Sequence, residues 1–114
     1  MITTRNTRKI ISIALVALLA IGTAATAMAE TPWELAHPRR DQVNDRLANQ
    51  NRRIDQQVAE GELTRYQAYR LHQEDYAIRQ EERLMASEHG GHITPLDQRV
   101  LNRQENYVSR QIGY

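Results

Sequence analysis

Leu63-Thr64-Arg65-Tyr66-Gln67-Ala68-Tyr69-Arg70-Leu71, running on from His72 to Met85 as HQEDYAIRQEERLM, decides how this chain reads. Ala68, Leu71, Asp75, Ile78, Glu82 and Met85 recur at spacings of 3, 4, 3, 4 and 3, which is one face of an α-helix. Thr64 stands where an N-cap belongs, with Gln67 three residues on. That pair makes a capping box, in which each side chain satisfies a free backbone donor. Two of the six stripe positions are acids, Asp75 and Glu82. Polar groups in a helical seam usually fix its register at a cost in stability.

Working outward, the same pattern returns. Ile93-Thr94-Pro95-Leu96-Asp97 repeats the opening, with Thr94 as cap, Pro95 at N1 and Asp97 at N3. Val100, Leu101, Tyr107, Val108 and Ile112 make its apolar side. His72 to Gln80 matches Arg103 to Gln111 at an offset of 31, whereas Gly61-x-Leu63-Thr64 matches Gly91-x-Ile93-Thr94 at 30, which implies one inserted residue. Upstream, Val43, Leu47, Ile54 and Val58 form a third stripe, interrupted by Gln50 and Asn51. Gly61 provides the stop after it. Leu47 to Ile54, Leu71 to Ile78 and Leu101 to Val108 are each seven apart. A repeated, capped helix that cannot bury its face alone packs against copies of itself. The expectation is therefore an all-α fold of three helices in antiparallel hairpins, over about 40–60, 64–88 and 95–112, within a helical domain 39–114. Residues 30–38 read as an extended arm.

The first 29 residues read differently. Arg5, Arg8 and Lys9 form a basic start, Ile10 to Gly22 an apolar run, and Ala27-Met28-Ala29 a cleavage site with small residues in the right places. This is the order of a cleaved signal peptide, and the apolar run is short for a membrane span. The expected location is the periplasm or the medium, with no stable membrane insertion after cleavage. Beyond residue 29 the chain carries twelve bases, all Arg, against fourteen acids, a net charge of −2. Export and that balance argue against nucleic acid despite the arginines. The same segment has 17 residues of Val, Ile, Leu, Met and Trp, five Tyr and no Cys. A core that thin, without disulfides, relies on helix pairing, an oligomer or a partner.

No residue set suggests an enzyme. Without Cys, with Ser87 and Ser109 as the only Ser beyond the leader and no phosphate-binding Gly loop, neither nucleophile nor cofactor site is expected. His89 and His92 share one loop and His72 lies on the second helix. Together they are the candidate ligands for zinc, which wants about four donors. His37 stands apart beside Pro38. Tyr66, Tyr69 and Tyr76 flank the 68/71/75/78 stripe, and Tyr107 is the repeat mate of Tyr76. They read either as the edge of the core or as a Tyr/Arg surface that grips a protein partner or unfolded client, together with Leu71 and Ile78. Both side-chain types join apolar area to a polar tip. A homodimer closing through Asp75 and Glu82 is a third expectation, requiring Arg partners for the buried acids.

Leu63-Thr64-Arg65-Tyr66-Gln67 resembles the LTxxQ motif of the Spy/CpxP family, with Asp97 where the second copy would have Gln. That resemblance implies a small, exported, all-helical protein that acts in envelope stress as an ATP-independent chaperone or as an inhibitor of a sensor kinase, with one zinc-binding relative. The segments His37-Pro-Arg-Arg40, Val43 to Asn51, Ile78 to Arg83, Gly90 to Thr94, Leu101 to Gln104 and Ser109 to Ile112 are similar to a group of small exported proteobacterial proteins. That likeness implies export and helices. The leading expectation is a non-enzymatic, periplasmic, chaperone-like or stress-related protein binder.

Overall fold

A computed structural model describes residues 30–113, so the signal-peptide reading lies outside the described residues. The chain divides after Leu35, and the second unit, from Ala36 on, is compact. Among the described residues no helix is long and apolar enough to cross a membrane.

The expected extended arm contains a short helix, α1 (Pro32–Ala36). A capping box starts it: Thr31 N–H donates to Glu34 Oε1 at 2.8 Å, and Glu34 N–H donates to Thr31 Oγ1 at 3.1 Å. Pro32 sits where its missing donor costs nothing. The sequence reading overlooked this Thr-Pro-x-Glu signal.

The second unit is all-α and holds three longer helices: α2 (Pro38–Ala59), α3 (Arg65–Ser87) and α4 (Pro95–Ile112). The first begins two residues earlier than expected, because Pro38 takes the first helical position after His37. Both Thr capping boxes form: Gln67 N–H donates to Thr64 Oγ1 at 3.0 Å, and Asp97 N–H donates to Thr94 Oγ1 at 3.0 Å. Gln67 and Asp97 each accept in return from the cap's own N–H. Gly61 ends α2 at a φ of 80°, a left-handed turn that suits glycine. Glu62 N–H donates to Gln57 O and Gly61 N–H to Val58 O, which uses carbonyls the helix end would leave open.

The bundle runs down, up and down. Side-chain bonds from α2 to α4 link residues 55 to 60 apart in a constant sense (Arg46 to Asn106, Arg53 to Ser109), so α2 and α4 run parallel. Bonds from α2 to α3 run in the opposite sense (Arg40 to Glu82, Asn51 to His72), so α3 is antiparallel to both. The core comprises Val43, Leu47, Ile54, Ala68, Leu71, Ile78, Ala86, Ile93, Leu101, Val108 and Ile112. Over residues 71–80 and 101–110 burial follows the 30-residue offset, pairing Leu71 with Leu101, Asp75 with Glu105 and Ile78 with Val108. The 31-residue word match instead falls on exposed side chains such as Tyr76 and Tyr107. Each helix thus buries the order Leu, polar, aliphatic: Leu47-Gln50-Ile54, Leu71-Asp75-Ile78 and Leu101-Glu105-Val108.

Candidate functional site

Two seams close α2 against its neighbours; arginine dominates the one with α4 and the loop before it, and Arg40 and His72 share the one with α3. Arg39 Nε donates to the Ile93 carbonyl at 2.6 Å. Arg40 Nε reaches Glu82 at 2.5 Å while its Nη1 donates to the Gly91 carbonyl at 3.0 Å. Arg46 donates to Asn102 and Asn106. Arg53 spans Ser109 Oγ at 2.9 Å and the Gly113 carbonyl at 2.5 Å. A planar guanidinium suits these paired acceptors in a way an ammonium does not.

The third seam, between α3 and α4, packs through core residues like the others, but among the described residues no arginine bond crosses it. At the C-terminal end of α4, Gln111 Nε2 donates to Glu74 at 3.3 Å. On one side of that bond lies a groove of about 240 Å³ lined by Leu63, Tyr66, Arg70 and Leu71. On the other lies a mostly apolar groove of about 520 Å³, with Ala77, Ile78, Val100 and Val108 as its floor and Arg103 and Tyr107 on its rim. Glu74 borders both. Leu96, Val100, Arg103 and Tyr107 fall at spacings of 4, 3 and 4 and share one face of α4. Tyr66, Ala77 and Leu84 share the matching face of α3. Leu84 and Leu96 are 62% and 58% exposed, and Tyr66 and Tyr107 66% and 57%, an unusual density of large apolar surface for so small a protein. Arg70 lies 5.9 Å from the Tyr66 ring and Arg110 6.0 Å from the Tyr107 ring. Such cation–π contacts keep rings upright and charged heads beside them.

This settles where each sequence candidate sits. Tyr66, Tyr69, Tyr76 and Tyr107 are all exposed, so the reading of them as core edge is corrected. They do not share one flank either. Tyr66 and Tyr107 border the α3–α4 groove, whereas Tyr76 borders an opening on the α2 side with Asn51, His72 and Arg79. Leu71 and Ile78 are 4% and 5% exposed. Both are core residues, and neither is free to grip a partner from the surface. The sequence reading missed Leu84, Leu96 and Arg103, although their helical spacing to Tyr66 and Tyr107 is legible.

The histidines disperse. His72 lies between Asn51 Oδ1 at 2.7 Å and Asp55 Oδ1 at 2.9 Å. His89, some 17 residues and about 25 Å further along the helical rise, donates from Nδ1 to the Met85 carbonyl and lies 3.6 Å from Asp97. His92 stacks on His37 with ring centroids 4.6 Å apart, so His37 is not isolated. Among the described residues no three His, Asp or Glu side chains converge as a metal-holding group.

The acidic seam also lies elsewhere than expected. Asp75 and Glu82 are buried within the core of their own chain, 2% and 1% exposed, so a dimer closing through them is corrected: α2 and α4 already cover that face. A third acid, Glu105, is fully buried and was missed; Asp75 plus the 30-residue offset points to it. Burial pushes the Asp75 carboxyl up to about 7, with His72 opposing and Glu74 adding to the rise. Burial likewise pushes Glu105 up to about 8, opposed by Arg46 and reinforced by Asp75 and Glu82. Arg46 Nε stays 3.7 Å from Glu105 Oε1, too far for a hydrogen bond.

Compared with protein-family models, with curated proteins and with solved structures, the chain finds no match.

Proposed function

We propose that this is a non-enzymatic, exported protein-binding protein, chaperone-like and tied to envelope stress, that works from the α3–α4 groove. Its occupant is an apolar segment of a partner or unfolded chain flanked by acidic residues. One observation carries this reading: among the described residues the α3–α4 seam is the one without arginine bonds, exposed Tyr66 and Tyr107 border its grooves, and exposed Leu84 and Leu96 lie on the same helix faces. The acidic flanks follow from charge. Arg70, Arg103 and Arg110 stand along the groove, while Glu74 is already engaged by Gln111. Tyr and Arg are also the residue types enriched where proteins bind one another.

The test is aggregation suppression by the purified protein, followed by light scattering with a denatured client at near-stoichiometric ratio and no ATP. Suppression is expected, and Tyr107→Asp with Leu96→Asp reduces it while helicity by circular dichroism stays unchanged. A wild-type protein that suppresses nothing, or a variant pair that suppresses equally well, rejects the groove as the working surface.

A further inference from the structure

Independently of the groove, the middle of the bundle carries an imbalance that apolar packing does not explain. Among the described residues, six buried side-chain atoms lack a hydrogen-bond partner: Asn44 Oδ1, Gln50 Oε1, both oxygens of Asp75 and both of Glu105. Every one is an acceptor. Unpartnered buried polar atoms are costly, and a native core contains few. What this layer lacks is donors.

The neighbouring donors are committed. From α2, Gln50 Nε2 donates to the Glu105 carbonyl at 2.7 Å, and Arg53 donates to Ser109 and Gly113. Arg46, also from α2, faces Glu105 at 3.7 Å but bonds Asn102 and Asn106. On α3, both nitrogens of His72 are engaged by Asn51 and Asp55, Glu82 adds a charge facing Glu105, and Glu74 and Arg79 act on Asp75 with opposite signs. From α4, Glu105 itself faces Asp75. The three acids do not converge in a way that could hold a metal ion. A proton is the cation that fits, because a protonated carboxyl gains one O–H donor while keeping an acceptor.

We propose that Gln50, Asp75 and Glu105 form a proton-binding layer that governs how tightly the three helices close, holding the bundle shut at mildly acid pH and loosening it as pH rises. The sign follows from burial. Both carboxyls bind protons more tightly folded than unfolded, at about 7 and about 8 against ordinary values of 3.8 and 4.5. The stability these two groups contribute is therefore greatest below about pH 4, falls as pH rises through the window in which the unfolded chain ionises and the folded one does not, and levels off above about pH 8. Loosening exposes the aliphatic positions on either side of the layer, Leu47, Leu71 and Leu101 among them.

Denaturant unfolding of the purified protein from pH 5 to 8.5 tests this. The two raised carboxyls together should increase the unfolding constant on the order of 10⁴- to 10⁵-fold across that range. In Asp75→Asn/Glu105→Gln, whose amides keep the shape and supply permanent donors, the profile should flatten. A flat wild-type profile, or an equal slope in the double variant, overturns the proposal. Should the variant not fold, infrared spectroscopy of the wild type decides: a protonated-carboxyl band at pH 6 that vanishes by pH 9 supports the layer, and no such band refutes it. Magnesium or calcium that stabilises the wild type at pH 8, but not the double variant, would reassign the layer to a metal cation and end the proton reading.

Discussion

The seams around α2 and the seam between α3 and α4 are built from the same kinds of residue and finished in opposite ways. Arg39, Arg40, Arg46 and Arg53 all lie on α2 and hand their donors to acceptors on α4, on α3 or in the loop before α4. Arg70, Arg103 and Arg110 lie beside the open groove; Arg70 and Arg110 sit over tyrosine rings. An arginine aimed across a seam shuts it, and one standing beside a ring leaves apolar surface available. The difference locates the working face of a bundle whose helices otherwise share one burial pattern.

The comparison breaks most visibly at Arg40. Arg40→Ala strands Glu82, which is 1% exposed, and removes the bond to Gly91. It should cost about 3–5 kcal/mol, read as a shifted denaturant midpoint, because a buried charge loses its partner. Adding Glu82→Leu should recover most of the loss. Arg53→Ala opens the α2–α4 seam at the C-terminal end of α4 by removing bonds to Ser109 and Gly113, for about 1–3 kcal/mol in thermal unfolding. Thr94→Ala removes the cap of α4, the helix that belongs to both kinds of seam, and should cost about 1 kcal/mol with unchanged bundle geometry. On the α3–α4 seam the order reverses. Tyr107→Ser should alter stability by no more than about 0.5 kcal/mol, since the ring is 57% exposed, yet weaken client binding measurably by titration calorimetry. A large stability loss there would mean the groove is structural.

Much of this fold was legible in the residues because it is local. Thr64 with Gln67, Thr94 with Pro95 and Asp97, and Gly61 act within one turn, and they set the starts of α3 and α4 and the end of α2. Pro38 and the Thr31–Glu34 box were equally local and were passed over in favour of the helix-breaking reputation of proline. The stripe at 68, 71, 75, 78 and 82 marked its own burial, acids included. Glu105 escaped because the 31-residue word match drew attention to the exposed tyrosines, away from the 30-residue register that packing obeys. The site was less legible. Which arginine crosses a seam and which stands beside it depends on a partner 40 or more residues away, as does the stacking of His37 on His92. Tyr66 and Tyr107 were named, but their meaning came only when α3 and α4 were set side by side.

The span of the arginine bonds has a kinetic consequence. Those from α2 to α4 and its preceding loop join residues 51 to 60 apart, whereas each helical hairpin closes through a loop of a few residues. Short loops close early and cheaply, and long-range bonds form once the ends have met. Losing Arg53 should therefore leave the folding rate nearly unchanged and accelerate unfolding, since an interaction absent from the transition state acts on the exit alone. The guanidinium bonds set how long the bundle stays closed rather than how quickly it assembles.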